Sequence, residues 1–526
     1  MMNLRLPIML LLFMLMACQN SPQQPVTKSP TPFQFAEYTI AQFQQGFDQQ
    51  KFTIEEVTQA YLQRIEAIDK NGPAINSVIQ VNPDAIAIAQ ALDKELQAGK
   101  KRSDLHGIPV LLKDNIDTHD QMPTTAGSRA LKDSKPLQDS FIAQKLREAG
   151  AVILGKTNLS EWANFRGERS TSGWSGLGGQ TKNPYRLDRN PCGSSSGSGV
   201  AVSANLCVMA VGTETNGSIV CPSSANGVVG IKPTVGLLSR SGIIPISFSQ
   251  DTPGPMTRTV TDAAISLGLM VGKDPKDAKT EAYEGKTPAD YTKFLNADGL
   301  NGKRIGLYTG PLGNHAKVDQ KMEEAVEFLK SQGAEVIEID QISQTNVGGV
   351  SFNVMLYEYK DGLNNYFASL GENAPIKNLK DLIAFNEQDS VELRYFDQEY
   401  LKMAQEKGSL EDQEYKDAVA KMHLEMGKNG IDRVMDEHQL DAIIAPTNSP
   451  AWKTDWTNGD SFVLGSSSPA AISGYPNITV PMGFIDELPV GMSIFGRKFG
   501  EGALIEIAYA YEQGTKHRKA PQFLEN

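Results

Sequence analysis

The sequence predicts an α/β fold, because segments with the pattern of buried strands alternate with segments with the pattern of amphipathic helices. Residues 108–112 (IPVLL) form a short apolar run, as expected for a buried strand that carries Lys113 at its carboxyl end. Residues 141–154 (FIAQKLREAGAVIL) then indicate a helix, a turn at Gly150 and a second strand. The same strand, helix and strand order returns over residues 302–340.

The remaining elements follow in chain order. Residues 53–56 (TIEE) have the spacing of a helix-capping box, and apolar residues recur at helical intervals after them. Residues 341–435 are richer in polar and aromatic side chains and predict a helical insertion. Strand-like sequence returns at residues 440–447 and 477–484. We therefore expect one sheet that is completed late in the sequence, within one large domain over residues 36–526.

Composition and charge narrow the classes of function. Of 526 residues, 40% are hydrophobic and 21% are charged, which is typical of a globular chain. A formal net charge of -12 opposes binding to phosphate backbones, so no nucleic-acid partner is expected.

The cysteines do not form a metal-binding pattern. Cys192, Cys207 and Cys221 include no C-x-x-C pair and have no histidine cluster near them, which excludes a zinc site or a disulfide scaffold. One disulfide among the three remains open, although small buried thiols are the favoured interpretation.

The amino terminus has the pattern of an export signal. Within residues 1–17 a single basic residue precedes an apolar run that is too short for a permanent membrane span. Residues 15–18 (LMAC) resemble the lipobox of bacterial lipoproteins, which implies cleavage before Cys18 and a lipid on that cysteine. A plain secretory signal or a buried helix are the alternatives. Residues 18–35 then form a Pro-, Gln- and Ser-rich flexible linker, so we expect an exported, periplasmic protein held at a membrane only by its lipid.

Residues 191–200 (PCGSSSGSGV) allow more than one interpretation. A flexible spacer is excluded, because a strongly apolar stretch follows at residues 200–214. The pattern G-x-S-x-G around Ser195 fits the nucleophile turn of an esterase, but that turn requires a preceding strand. Residues 181–192 instead contain two prolines and four charges, and no histidine lies in a recognisable triad context.

A wider window carries a specific resemblance. Residues 192–242, with a second glycine-rich turn at residues 212–218 (GTETNGS), closely resemble the signature segment of the amidase signature family. Residues 107–117 (GIPVLLKDNID) match the lysine motif of that family, and the resemblance extends from residue 36 to the end. It implies a large mixed β-sheet of about ten strands, covered by helices on both faces.

The resemblance assigns catalytic roles to three residues. It implies that Ser218 is the nucleophile, that Ser194 is a bridging serine after a cis peptide bond, and that Lys113 is the base. A lysine acts as a base only when its amine is neutral, so burial must lower its pKa by about 3 units from about 10.4. Lys156 also follows a predicted strand and is the alternative base, but the family motif favours Lys113, with Lys156 as a structural or surface charge.

The turn before the nucleophile supplies further candidates. The backbone N–H groups of Thr215, Asn216, Gly217 and Ser218 are the expected oxyanion hole, since a glycine-rich turn can direct several donors at one oxygen. Ser195 and Thr213 are expected to orient this network through hydrogen bonds, and an ordinary turn residue is the alternative for each. The chemistry requires no metal and no organic cofactor.

The function expected from the resemblance is hydrolysis of a carboxamide through an acyl-enzyme. Residues 212–222 and 238–256 look most like peptide amidases, so the carboxyl-terminal amide of a peptide is the first substrate expected, with other small-molecule amides open. One alternative is a non-catalytic, peptide-binding lipoprotein on the same fold. The other is a protein like the amidotransferase component that delivers ammonia to misacylated transfer RNA. The oligomeric state is not determined by the sequence.

Overall fold

The protein is described by a computed structural model for residues 33–525, except residues 284, 287, 289 and 373. The chain from Phe35 onward forms one compact unit. The predicted signal, Cys18 and nearly all of the predicted linker lie outside the described residues. None of the helices in the described part combines the length and the apolar composition needed to cross a membrane.

Thirteen strands are found in the described residues. They are β1 Val78–Val81, β2 Pro109–Lys113, β3 Val152–Thr157, β4 Trp174–Ser175, β5 Gly179–Gln180, β6 Met209–Glu214, β7 Val229–Lys232, β8 Thr252–Thr257, β9 Arg304–Tyr308, β10 Glu335–Ile339, β11 Ala442–Pro446, β12 Asn477–Ile485 and β13 Leu488–Phe495. Eleven of them form one sheet in the order β1-β3-β2-β6-β8-β7-β12-β13-β11-β9-β10, and β4 and β5 form a separate ribbon.

The large sheet is mixed. β2 lies parallel to β3 and β6, and β9 lies parallel to β10 and β11. β12 and β13 form an antiparallel hairpin, and β8 runs antiparallel to both β6 and β7. The predicted α/β class with a large mixed sheet is therefore confirmed.

Fifteen α-helices accompany these strands in the described residues. They are α1 Ile40–Asp48, α2 Ile54–Arg64, α3 Ala85–Gln97, α4 Phe141–Glu148, α5 Ser196–Ser203, α6 Val220–Ala225, α7 Val260–Met270, α8 Ala316–Ser331, α9 Gly348–Ser369, α10 Leu379–Gln388, α11 Glu399–Gln405, α12 Gln413–His423, α13 Arg433–Glu437, α14 Ser468–Ser473 and α15 Glu501–Thr515. The helices α9 to α13 follow one another without an intervening strand, between β10 and β11. The expected capping box is present at the start of α2, where Thr53 and Glu56 each accept a backbone N–H of the other.

The apolar stretch over residues 200–214 is not the single buried element that its sequence suggests. It holds the end of α5 and the whole of β6, separated by a turn in which Asn205 has a φ of 60°. Both elements are fully buried, so their sequences are apolar without the periodicity that would have revealed the break.

The sheet register brings the predicted site residues to one edge. All five residues of β2 are buried, and the strand ends at Lys113. Its parallel neighbour β6 ends at Glu214, so residues 212–214 of the predicted glycine-rich turn belong to the strand and the turn itself begins at Thr215. Because parallel neighbours end at the same edge of a sheet, the lysine and the turn are neighbours in space although 100 residues separate Lys113 from Thr213.

A buried charge cluster joins the helical region to this core. Arg166 is 1% exposed and pairs with Glu161 and with Glu392, which lies between α10 and α11. Glu392 also accepts the backbone N–H of Arg129 at 2.7 Å. Burial raises the pKa of Glu161 well above its usual range, against the attraction of the Arg166 guanidinium.

Candidate active site

The Lys113 amine lies in a pocket of uncharged hydrogen-bonding groups. Its Nζ is 2.8 Å from Ser194 Oγ, 2.9 Å from Thr213 Oγ1 and 3.1 Å from the Thr213 carbonyl oxygen. The side chain is completely buried. A neutral amine has two N–H donors and one lone pair. When both donors are used by Thr213, the lone pair is directed at Ser194 Oγ, which is the geometry needed to accept its proton.

Burial sets the protonation state of this amine. Loss of solvation lowers the pKa of Lys113 to about 7, whereas the negative charges of Asp251 and Glu214 oppose that shift. The size of the shift agrees with what a general base at neutral pH requires. A substantial fraction of the amine is therefore neutral at pH 7.

The serine-rich loop is locked against the end of β6. The peptide bond between Gly193 and Ser194 is cis, as the family resemblance implies. A Cβ at Gly193 would lie 2.2 Å from Ser160 Oγ, so only glycine fits here. Ser195 Oγ donates to the Thr213 carbonyl oxygen at 3.0 Å and accepts the Thr213 N–H at 3.1 Å. Ser195 and Thr213 thus bind each other, and their role in orienting the catalytic network stays a prediction.

The glycine-rich turn presents its backbone donors without intramolecular partners. In the described part of the chain, the N–H groups of residues 215–218 donate to no acceptor. Gly217 has a φ of +85°, a backbone conformation that residues other than glycine rarely adopt. This conformation closes the turn. Four free donors in one short turn are the arrangement that an oxyanion hole needs.

Ser218 follows these donors and lies beside the serine-rich loop. Its carbonyl oxygen accepts the Ser195 N–H at 3.1 Å. Its side chain is 9% exposed, and its hydroxyl makes no hydrogen bond to any other described residue. The direct contact expected between the hydroxyls of Ser194 and Ser218 is thus not formed, and the catalytic roles of both serines stay predictions.

The structure corrects the interpretation of the cysteines as buried thiols. Cys192 and Cys221 form a disulfide with a Cα–Cα distance of 6.0 Å, and Cys207 is the buried free thiol. Cys192 lies two residues before Ser194, and Cys221 lies three residues after Ser218. The disulfide therefore links the two serine loops covalently.

Lys156 lies elsewhere in the core. It is fully buried, so the alternative of a surface charge is wrong. Its Nζ donates to the Ile116 carbonyl oxygen at 2.6 Å and to Thr124 Oγ1 at 3.0 Å. Its Nζ makes no hydrogen bond to either serine loop among the described residues, so a structural role remains for Lys156.

A cavity of about 410 Å³ adjoins the predicted site. Its walls combine polar groups next to the glycine-rich turn with an apolar surface, and include Thr213, Thr215, Asp251, Ile244, Ile246 and Leu370. Leu370 follows α9, so the helical region contributes to the cavity wall. This volume is in the range of sites that bind small organic molecules, and it is larger than a single ion needs.

The sequence interpretation missed Glu214. Its Oε2 accepts the backbone N–H groups of Ile219 at 2.8 Å and Val220 at 3.0 Å, which fixes the start of α6 directly after Ser218. An acidic residue shortly before a helix is a recognisable signal, because carboxylates stabilise helix amino termini.

Comparison with known proteins gives extensive similarity. A family model described as Amidase matches residues 56–505. The chain is 41% identical over 505 residues to a probable amidase of Arabidopsis thaliana, covering 94% of this chain and 93% of that protein. It is 32% identical over 511 residues to a glutamyl-tRNA(Gln) amidotransferase component of Thermoanaerobacter pseudethanolicus, covering 92% and 98%. The native peptide amidase from Stenotrophomonas maltophilia has a similar structure, with a TM-score of 0.90 and 49% identity over 94% of this chain and 100% of that chain.

Loss of the disulfide should weaken the alignment of the two serine loops. We expect the Cys192→Ser/Cys221→Ser double variant to lose about 2–4 kcal/mol in its free energy of unfolding, since the link closes a loop with a sequence separation of 29. Denaturation in urea measures that loss, and dithiothreitol should reproduce it in the wild type. The Cys207→Ala variant is the control and should keep the response to dithiothreitol. A wild-type stability that dithiothreitol leaves unchanged would refute the link.

Proposed function

The chain belongs to the amidase family and is an amide hydrolase, and we propose that it removes the carboxyl-terminal amide of peptides through Ser218, Ser194 and Lys113. The observation that carries the mechanism is the buried Lys113 amine 2.8 Å from Ser194 Oγ, with both of its other hydrogen-bonding contacts made to Thr213.

The first half of the reaction forms an acyl-enzyme. Ser218 Oγ attacks the carbonyl carbon of the amide and gives its proton to Ser194 Oγ, while the Ser194 proton passes to the neutral Lys113 amine. The oxyanion accepts hydrogen bonds from the free N–H groups of residues 215–218. When the C–N bond breaks, Ser194 protonates the departing nitrogen and Lys113 returns its proton to Ser194. Ammonia leaves with the proton that Ser218 lost, Ser218 remains acylated, and Ser194 and Lys113 regain their initial protonation.

The second half uses water in place of the serine hydroxyl. Water attacks the ester carbonyl and passes a proton through Ser194 to Lys113, and the collapse of the intermediate returns that proton to Ser218. The products are the free carboxylic acid and ammonia. The chain thus consumes one water for each amide.

Two observations support a peptide amide as the substrate. The peptide amidase from Stenotrophomonas maltophilia shares 49% identity with this chain over nearly its full length. The cavity of about 410 Å³ beside Thr213 and Thr215 offers an apolar wall to a carboxyl-terminal side chain.

Export and anchoring through Cys18 form a further part of the proposal. The support comes from the signal-like residues 1–17 and from the Cys192–Cys221 disulfide, since disulfides persist in oxidising compartments such as the periplasm. Metabolic labelling of a bacterial host with palmitate should label the wild-type chain but not Cys18→Ala. Equal labelling of both chains would overturn lipidation at Cys18.

The pH dependence should report the Lys113 amine. Because Lys113 must be neutral to act as a base and burial lowers its pKa to about 7, kcat/KM should fall as the pH falls through about 7. The Lys113→Met variant should lose about 10³-fold or more in kcat at pH 8, measured as ammonia release. Lys156→Met, checked for folding by circular dichroism, is the control and should keep the pH midpoint. A comparable loss in a folded Lys156→Met variant would reassign the base.

The substrate proposal can be tested with a panel of amides. We expect peptide amides to give the highest kcat/KM, followed by amino-acid amides, with anilides and free glutamine lowest. The similarity to the amidotransferase component makes glutamine the informative competitor, because ammonia release from glutamine would favour that function. Ser218→Ala should release no ammonia and should resist a fluorophosphonate probe that labels the wild type. Equal labelling of the wild type and Ser218→Ala would exclude Ser218 as the nucleophile.

A further inference from the structure

Asp251 lies directly opposite the glycine-rich turn. It precedes β8, which pairs antiparallel with β6 in a register that places Thr252 opposite Glu214. One residue further, the same register sets Asp251 opposite Thr215. The carboxylate is thus placed by the sheet at the edge where the predicted oxyanion hole begins.

The carboxylate joins the turn to the cavity wall. Asp251 Oδ1 accepts the Thr215 hydroxyl at 2.5 Å. Asp251 Oδ2 accepts the backbone N–H groups of Ile246 and Ser247, each at 2.8 Å. Ile246, Thr215 and Asp251 all line the cavity. One side chain therefore holds together the turn that would bind the oxyanion and the surface that would bind the acyl group.

The segment that Asp251 closes is also fixed to the helical region. Gln250 Nε2 donates to the Thr215 carbonyl oxygen at 3.4 Å, and Ser351 Oγ on α9 donates to Gln250 Oε1 at 2.6 Å. Glu358, also on α9, accepts the Ser249 N–H at 3.0 Å and the Ser249 hydroxyl at 2.6 Å. Hydrogen bonds from α9 thus hold residues 249 and 250 in place, and the hydrogen bond between Asp251 and Thr215 connects this segment to the turn.

We propose that Asp251 is the positioning residue of this active site: its carboxylate fixes the oxyanion turn through Thr215 and provides a negative charge near the Lys113 base. The proposal rests on the proposed amide hydrolysis but adds a residue that the family resemblance did not assign. Asp251 takes no part in bond making or proton transfer. It acts through Thr215 and through its electric field.

The charges around the base give this role a distinct signature. Asp251 and Glu214 are the two charges that raise the pKa of Lys113 against the effect of burial. The positive charge of Arg240 lowers the pKa of Asp251. Burial raises the pKa of Asp251 itself to about 6, and its hydrogen bonds with Thr215, Ser247 and Ile246 oppose that shift. Removal of this negative charge should lower the pKa of Lys113 further, and the acid limb of the rate profile should move to lower pH.

Two substitutions separate the charge from the hydrogen bonds. In Asp251→Asn the amide oxygen can accept both backbone N–H groups, and the amide nitrogen can donate to the Thr215 hydroxyl. Asp251→Ala removes every contact. We expect kcat to fall about tenfold in Asp251→Asn and about 10²-fold in Asp251→Ala, with KM for a peptide amide within about threefold of wild type. In both variants the acid limb should move down by about half a pH unit or more.

Two further variants serve as comparisons. Thr215→Val keeps the Asp251 charge but loses the hydroxyl, so kcat should fall while the acid limb stays in place. Asp262→Asn replaces another buried carboxyl group, whose pKa burial also raises to about 6. Asp262 accepts the Ile40 N–H and does not line the cavity. It should change neither kcat nor the acid limb.

A measurement without turnover completes the test. The pKa of Lys113 can be followed by NMR in protein labelled with ¹⁵N-lysine, with Lys113→Met to assign the signal. It should be lower in Asp251→Asn than in the wild type, even in a protein that hydrolyses no amide of the panel. A wild type without amidase activity would refute the proposed function alone. An unchanged Lys113 pKa in Asp251→Asn, together with a kcat of Asp251→Ala within twofold of wild type, would overturn the role of Asp251.

Discussion

The rest of this structure depends on one constraint, which is the burial of the Lys113 amine among hydrogen-bonding groups that carry no charge. A lysine in water is protonated at neutral pH, and a carboxylate in direct contact would keep it so. Lys113 instead contacts Ser194 and Thr213, while the negative charges of Asp251 and Glu214 act from outside its hydrogen-bonding shell. The site thus balances desolvation against two charges, and the balance lowers the pKa of the amine to about 7.

This balance depends on how the two serine loops are held next to Lys113. The parallel pairing of β2 with β6 sets the coarse position, because both strands end at one edge of the sheet. Ser195 and Thr213 then exchange two hydrogen bonds, and the Cys192–Cys221 disulfide closes the far ends of the same two loops. Each connection lies close in sequence to a predicted catalytic serine, where a small displacement has the largest effect on proton transfer.

The helical region between β10 and β11 is part of the site rather than a separate addition. It contributes to the cavity wall through α9, and it is fixed to the core by the buried pair of Arg166 and Glu392. Through Gln250 and Asp251 it also reaches Thr215, the first residue of the proposed oxyanion hole. The cavity wall that would bind the acyl group is therefore connected by hydrogen bonds to the turn whose N–H groups would stabilise the oxyanion.

The sequence by itself predicted the strands β2, β3, β9, β10, β11 and β12 and the capped helix α2, and its motifs identified the candidate residues Lys113, Ser194 and Ser218, because apolar runs, turn residues and motif spacing are local properties. It did not reveal the break between α5 and β6, since full burial removes periodicity. It also could not decide the pairing of Cys192 with Cys221, the burial of Lys156 or the contacts of Asp251. Those depend on strand register and on which distant segments exclude water from a group, and only the tertiary structure decides either.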